Sequence, residues 1–279
     1  MRETLTRVLR SYGLARGETA AGLLSLANTV PKTDCDFDPD AWDRGEQQLL
    51  AASGIGRVVL SRLPAMGATL LPRVDGAQPA WRAVIDLPQD TSKEALTALH
   101  AVGVRGVRFN LASPGSDNLD PLLTFADLIV PFGWHVEIKL GATGAARALA
   151  KAEWRLMQFP LAVCFSGVGS HRQDRHAAAF DFVLGMMQLG RYWLKLSGDD
   201  LATPQLKLWD EPPPLTRALE AVRKDRLIWG SGKRPDGDAA THLASSLALL
   251  EKCVPNPGDR EQVLADNPAT LYGFNDRSS

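Results

Sequence analysis

The chain has 279 residues, of which 45% are hydrophobic and 23% charged, and its formal net charge at pH 7 is −1. This balance, without a basic cluster, predicts no nucleic-acid partner, and the length suits one large barrel or two modest domains. Cys35, Cys164 and Cys253 are too widely spaced for a disulfide framework or a zinc knuckle, which favours a reducing, cytoplasmic compartment.

The N-terminal segment interleaves charged and apolar residues and contains no apolar run long enough for a signal or membrane helix. We therefore expect no membrane partner. Arg2–Tyr12 instead predicts a helix within an N-terminal extension, residues 1–20, that precedes the first strand.

Short apolar runs then alternate with amphipathic segments, and no long linker separates domains. Eight apolar runs predict β-strands: Gly22–Asn28, Arg57–Ser61, Trp81–Leu87, Val104–Leu111, Gly133–Leu140, Leu161–Ser166, Tyr192–Ser197 and Leu227–Ser231. Helical periodicity predicts helices at Asp40–Ala52, Ala65–Val74 (the weakest pattern), Ser92–Val102, Leu119–Val130, Thr143–Met157, Arg175–Leu189, Leu215–Arg223, Ala239–Lys252 and, as a closing helix, Asp259–Phe274.

The alternation of strands and helices predicts parallel strands joined by right-handed crossovers. Eight such units in about 250 residues favour an α/β fold of the (β/α)8 TIM barrel type over a doubly wound sheet. We expect a single domain over residues 1–279, with residues 255–279 as its closing segment.

The predicted strand Gly133–Leu140 has one apolar and one charged face. Alternation places His135, Glu137 and Lys139 on the same side, opposite the apolar residues. Inside a barrel, these groups need either a satisfied polar network or a solvent-filled site. The alternative is an edge strand whose charged face is solvated.

The active site of such a barrel lies at the carboxyl ends of its strands. The fourth predicted strand ends with Arg108 and Asn110 on one side; the arginine is a candidate for binding a carboxylate or phosphate, the alternative being a structural ion pair. Lys139 ends the fifth strand and is a candidate acid, base or cationic stabiliser, the alternative being a structural pair with Glu137.

Later strand ends add further polar candidates. His171 follows a glycine-rich turn after the sixth strand, Lys195 and Asp199 belong to the end of the seventh, and Ser231 ends the eighth. Cys164 is more readily interpreted as a buried side chain that packs in the core than as a nucleophile. The acidic loop Asp34–Asp38 lacks the ligand spacing of a calcium loop.

Five sequence runs together resemble the amidohydrolase superfamily, in the branch that contains 2-pyrone-4,6-dicarboxylate lactonase and related metal-dependent-type hydrolases. They are Gly103–Asn110, Gly133–Val136, Lys195–Gly198, Asp225–Ser231 and Asn267–Phe274, in the same order as in the family. The resemblance covers roughly residues 50 to 274 and implies the same (β/α)8 fold as the strand count.

The residues that bind metal in this family are replaced here. Its His-x-His motif falls on Leu26 and Asn28 or, in another alignment, on Asp36 and Asp38. Its Asp-His-x-Gly motif corresponds to Cys164–Gly167, which puts Phe165 at a ligand position, and its proton-accepting aspartate corresponds to Gly232. Zinc prefers nitrogen, sulfur or carboxylate ligands, so we predict no catalytic metal and no cofactor.

The resemblance and the retained charges predict a metal-independent hydrolase of a small carboxylated, lactone- or ester-like substrate. The alternatives are a metal-free lyase, cyclase or decarboxylase, a non-catalytic protein that binds a ligand or partner, and a structural subunit; homo-oligomerisation stays open. The predicted catalytic residues are Lys139, Glu137 and Asp199, and the predicted substrate-binding residues are Arg108, Asn110, His135, His171, Lys195 and Ser231. Convergence of Arg108, Glu137, Lys139 and His171 on one enclosed pocket would favour an enzyme, whereas a pocket filled by Phe165 and Trp229 would favour one of the other two classes, a binding protein or a structural subunit.

Overall fold

The structure is a computed structural model that describes residues 57–64, 80–87, 91–111, 119–140, 145–168, 177–197, 223–230 and 239–274. Five predicted elements lie outside the described residues, apart from Arg223 at the end of the last one: the strand Gly22–Asn28 and the helices Arg2–Tyr12, Asp40–Ala52, Ala65–Val74 and Leu215–Arg223.

Seven strands form one parallel sheet in which each strand pairs with the next along the chain. They are β1 (Arg57–Pro64), β2 (Ala80–Asp86), β3 (Val104–Asn110), β4 (His135–Lys139), β5 (Val163–Ser166), β6 (Tyr192–Ser197) and β7 (Leu227–Gly230). This sequential order is that of the wall of a (β/α)8 barrel. The strand predictions from Arg57 onward are confirmed.

Helices follow several of the strands and cover the outside of the sheet. They are α1 (Lys93–Ala101), α2 (Asp120–Ile129), α3 (Ala145–Gln158), α4 (Ala177–Gln188), α5 (Ala239–Cys253), α6 (Pro257–Glu261) and α7 (Asn267–Tyr272). Ser92 fixes the start of α1, because its hydroxyl accepts a hydrogen bond from the Ala95 backbone N–H at 3.2 Å. None of the helices in these described ranges is long and apolar enough to cross a membrane.

The predicted closing helix Asp259–Phe274 is helical over residues 257–272, but a π-helical turn at Gln262–Asp266 lies between α6 and α7. Pro268 at the start of α7 has no N–H to donate to the preceding turn, which accounts for the change in hydrogen bonding there. Gly273 ends α7 with a left-handed conformation at φ +65°.

Two apolar cores lie on the two faces of the sheet. The outer core, between strands and helices, contains Val136 and Ile138 of β4, the preceding Trp134 and apolar residues of the helices. The inner core contains Val59, Val84, Cys164, Trp193, Ile228, Ala269, Tyr272 and Phe274. Alternation along each strand assigns successive side chains to these two faces in turn.

The closing segment packs against the amino-terminal parts of the strands. Arg82 donates a hydrogen bond to the Gly273 carbonyl at 3.0 Å, and its guanidinium lies 5.0 Å from the centre of the Phe274 ring. Arg57, the first residue of β1, lies 5.6 Å from the same ring. The segment therefore seals the end of the barrel opposite the one where such folds place their active sites.

Candidate active site

The charged face of β4 lies inside the barrel, as its alternation predicted. His135 and Glu137 are each 2% exposed, and on the neighbouring strands Arg108 pairs in register with Glu137, and Glu137 with Cys164. The interpretation of β4 as a solvated edge strand is therefore wrong, since β4 pairs with β3 on one side and β5 on the other.

Glu137 is the centre of a buried ionic network. Lys195 donates to its Oε2 at 3.3 Å, Ser166 donates to its Oε1 at 2.8 Å, and Arg108 Nε lies 4.0 Å from Oε1. All four side chains are buried. We call Arg108, Glu137, Ser166 and Lys195 the Glu137 cluster.

The cluster keeps the Glu137 carboxylate ionised. Burial alone would raise its pKa, but attraction to Lys195 and Arg108 and the hydrogen bond from Ser166 hold the pKa at about 2. A carboxylate this acidic is a poor proton acceptor at neutral pH. In this geometry Glu137 holds the two cations Lys195 and Arg108, whereas the sequence predicted a catalytic residue or a structural partner of Lys139.

Lys139 and Asn110 lie one row nearer the carboxyl ends of the strands, paired in register with each other. Both are partly exposed, as expected of residues at the barrel mouth. Gly167, at φ +74°, makes room for the lysine, because a Cβ there would lie 2.9 Å from Lys139 Cε and 2.7 Å from the Leu140 carbonyl oxygen.

His135 occupies the other end of β4, at its first residue, and not the mouth. Its Nδ1 lies 2.8 Å from the Arg105 carbonyl, and its ring meets Tyr272 of the closing segment edge-on at 5.0 Å between centroids. Burial lowers its pKa to about 4, against the smaller attraction of Glu137. The imidazole is therefore neutral at pH 7, with Nδ1 as the donor to the carbonyl.

Three predicted site residues, His171, Asp199 and Ser231, lie outside the described residues, as do Asp36, Asp38 and Gly232. The structure brings Arg108, Glu137 and Lys195 into direct association and places Asn110 and Lys139 next to them on the same face.

Phe165 and Trp229 do not fill the interior beside the Glu137 cluster, which is the outcome that would have favoured a protein without catalysis. Both belong to the outer core, where Phe165 stacks on Tyr192 at 6.0 Å between ring centroids. The β5 residues that face the interior are Cys164 and Ser166, since Ser166 bonds to Glu137 and Cys164 lies in the inner core. Burial and the nearby Glu137 raise the pKa of the Cys164 thiol, which suits a packing role better than a nucleophilic one.

The Amidohydrolase family model matches residues 27–274 of the chain. The chain belongs to the amidohydrolase family. It is 25% identical over 251 residues to a 4-sulfomuconolactone hydrolase from Hydrogenophaga intermedia, covering 84% of this chain and 80% of that one. It is 24% identical over 253 residues to a 2-pyrone-4,6-dicarboxylate hydrolase from Comamonas testosteroni, covering 82% and 81%.

A crystal structure of a candidate 2-pyrone-4,6-dicarboxylic acid hydrolase from Pseudomonas putida superposes with a TM-score of 0.63 at 21% identity, covering 91% of this chain and 96% of the other chain. This likeness shows the fold. The family and the superposition establish the (β/α)8 barrel, seven of whose strands are among the described residues.

The described residues of this amidohydrolase do not fit a catalytic metal. No group of three His, Cys, Asp or Glu among them could hold an ion. Glu137, the buried carboxylate of the inner face, is bonded to Lys195 and lies beside Arg108, so a divalent cation there would meet two positive charges. That no metal is bound stays a prediction, because the alternative ligands Asp36 and Asp38 are outside the described residues.

Sequence reasoning missed three contributors to this site. Gly106, Ser166 and Tyr272 each lie within a run that resembles the family, but none of them is a predicted site residue. A Cβ on Gly106 would lie 2.3 Å from His135 Cε1, so this glycine is what admits the imidazole. Strand register pairs Gly106 with His135, a signal that is readable only once the alignment of β3 with β4 is known.

Proposed function

We propose that this chain hydrolyses a small carboxylated lactone or related ring ester without a catalytic metal. Water adds to the ring carbonyl and the ring C–O bond breaks, leaving a carboxylate and a hydroxyl group. The observation that carries the proposal is that, among the described residues, the cationic side chains of the Glu137 cluster and Lys139 outnumber the carboxylate on the inner face of β3 to β6.

The charge balance supports a carboxylated substrate. Among the described residues on the inner face of β3 to β6, Arg108, Lys139 and Lys195 are cations and Glu137 is the carboxylate, while His135 is neutral. Buried charges interact more strongly than exposed ones because water screens them less. An anionic group that enters from the mouth would therefore be attracted to this face.

The names of relatives support hydrolysis of a lactone. Two similar proteins of this family are named as hydrolases of 4-sulfomuconolactone and 2-pyrone-4,6-dicarboxylate. Both substrates, as named, combine a ring ester with anionic substituents, which matches the charge of this inner face. The matches extend over most of each relative's length, so the comparison covers the whole barrel and not one motif.

We assign the roles as follows. Arg108 binds the substrate carboxylate, with Asn110 beside it at the mouth, and Lys139 stabilises the developing negative charge or transfers a proton. Lys195, paired with Glu137, sets the electrostatic potential around these residues. Asp199 accepts the proton of the attacking water, and the loop residues His171 and Ser231 complete the substrate contacts; these three assignments rest on the sequence.

The proposal is tested by assaying purified protein on the two lactones that its relatives are named for, before and after chelator treatment and with metal content measured. We expect turnover that survives chelation, with incorporation of ¹⁸O from labelled water into the product. Loss of activity that zinc or manganese restores would refute metal independence. Release of CO2 or an unlabelled elimination product would indicate a lyase or decarboxylase instead.

The proposed roles are tested with Lys139→Met and Arg108→Met, using Lys151→Met on α3 as the control. Each site variant should lower turnover about a hundredfold or more, since losing a charge stabiliser or proton donor typically costs that much. The control should behave as wild type. Turnover within a few-fold of wild type in both site variants would show that these residues do not form the site.

A further inference from the structure

Three buried polar atoms around Glu137 have no hydrogen-bond partner among the described residues. They are Arg108 Nε, His135 Nε2 and Tyr272 Oη, which belong to β3, β4 and α7. Their side chains are at most 8% exposed. Because buried polar groups are almost always hydrogen-bonded, three unpaired atoms in one region indicate a bound molecule between them.

The side chains that bear these atoms are neighbours of Glu137 or of one another on the inner face. Arg108 Nε lies 4.0 Å from Glu137 Oε1, and the His135 and Tyr272 rings are 5.0 Å apart. Glu137 and His135 are two residues apart on one strand face, and Glu137 acts electrostatically on both His135 and Tyr272. His135 links the two groups, because its ring contacts Tyr272 of the closing segment and it lies two residues from Glu137 on β4.

The three atoms specify the chemistry of the occupant. Arg108 Nε can only donate a hydrogen bond, and His135 Nε2 can only accept one, because the proton of the neutral ring is on Nδ1, facing the Arg105 carbonyl. Tyr272 Oη can do both. An anion could not donate to His135, and a metal cation would be repelled by Arg108 and Lys195. A neutral molecule that both donates and accepts satisfies all three atoms.

We propose that ordered water occupies this part of the barrel interior, accepting a hydrogen bond from Arg108 Nε, donating one to His135 Nε2 and bonding to Tyr272 Oη. The water connects the closing segment to the Glu137 cluster. This site goes beyond the proposed function, because the polar atoms require a partner whether or not the chain hydrolyses a lactone.

A high-resolution crystal structure of the full chain tests the site directly. We expect a solvent peak within about 2.7–3.2 Å of at least two of the three atoms. A direct hydrogen bond between Tyr272 and His135, or density without solvent, would overturn the proposal. So would an anomalous bromide peak at these atoms after a bromide soak, because it would show an anion site.

Tyr272→Phe tests the site in solution, with Tyr192→Phe as a calibrating variant. Phenylalanine keeps the edge contact with His135 and removes only the hydroxyl. The Tyr192 hydroxyl donates to the Leu156 carbonyl at 2.8 Å, so its loss measures one buried hydrogen bond in this protein. Both variants should lower the Tm by about 2–4 °C, the effect of roughly one hydrogen bond in a chain of this size. A Tm for Tyr272→Phe equal to or above that of wild type would mean that the hydroxyl has no partner and would refute the water site.

Discussion

Glu137 carries its charge inside the barrel because two cations and a hydroxyl compensate for the loss of water. Lys195, Ser166 and Arg108 all converge on the two oxygens of one carboxylate. Such an arrangement contributes little net stability compared with an apolar core, yet removal of one partner leaves the others buried and uncompensated. The cluster is therefore sensitive to single changes in a way that surface ion pairs are not.

Glu137→Gln should destabilise the protein by about 3–5 kcal/mol, because Lys195 and Arg108 then repel each other without a counterion. Urea unfolding measures the difference. Glu153→Gln, on the exposed side of α3, is the matched control and should change the unfolding free energy by less than about 0.5 kcal/mol. The pair Glu137→Gln with Lys195→Met should recover part of the loss, and equal loss in the single and double variants would contradict the network.

The stability should also decrease in two steps as the pH falls. The pKa of His135 is about 4 in the folded state against 6.5 unfolded, so the unfolded state binds the proton first and stability is lost between about pH 6.5 and 4. The loss is on the order of 3 kcal/mol. The pKa of Glu137 is about 2 against 4.5 unfolded, so its contribution is complete above pH 4.5 and disappears as the pH falls towards 2.

Urea midpoints measured from pH 8 to pH 3 check this order, with His135→Asn as the comparison. An asparagine amide can replace the Nδ1 donor but does not titrate. The variant should be less stable at pH 7 and show no decrease between pH 6.5 and 4.5. A wild-type curve that stays flat down to pH 4.5 would be inconsistent with a buried, neutral His135.

At the scale of elements, the contact between β3 and β4 depends on a missing side chain. Gly106 pairs with His135, and the imidazole occupies the space that a Cβ would need. Gly106→Ala should cost about 1–3 kcal/mol through overpacking. Gly185→Ala, on α4 where a Cβ would meet no atom within 4 Å, should stabilise the protein by about 0.5–1 kcal/mol. Thermal unfolding of both variants measures this contrast, and equal shifts in Tm would contradict the packing.

The sequence predicted the strands from Arg57 onward because each is a short apolar run bounded by turn residues. Alternation also assigned His135, Glu137 and Lys139 to one face. It did not identify Lys195 as the partner of Glu137, since the two lie two strands apart and their approach depends on the register of both. The motif alignment put Phe165 at a metal-ligand position, whereas the alternation of side chains along β5 places it in the outer core.

Across the whole molecule, the closing segment completes the inner core. Phe274 is 7% exposed and lies under the guanidinium groups of Arg57 and Arg82. Phe274→Ala should therefore cost about 3–5 kcal/mol. Trp154→Ala on α3 removes a larger side chain that is 68% exposed, and it should cost less than about 0.5 kcal/mol. Urea unfolding of the two variants distinguishes the cases; a similar cost for both would show that the segment does not seal the barrel.

The hydrogen bond from Arg82 to Gly273 joins residues 191 positions apart. At a ribosomal speed of about 5–20 residues per second, Gly273 is therefore synthesised about 10 to 40 s after Arg82 of β2. During that interval the Phe274 ring is not yet present to pack against Arg82, and the closing segment does not yet cover the inner face of β1 and β2. Nascent chains are thus expected to depend on chaperones most while the middle of the barrel is being translated.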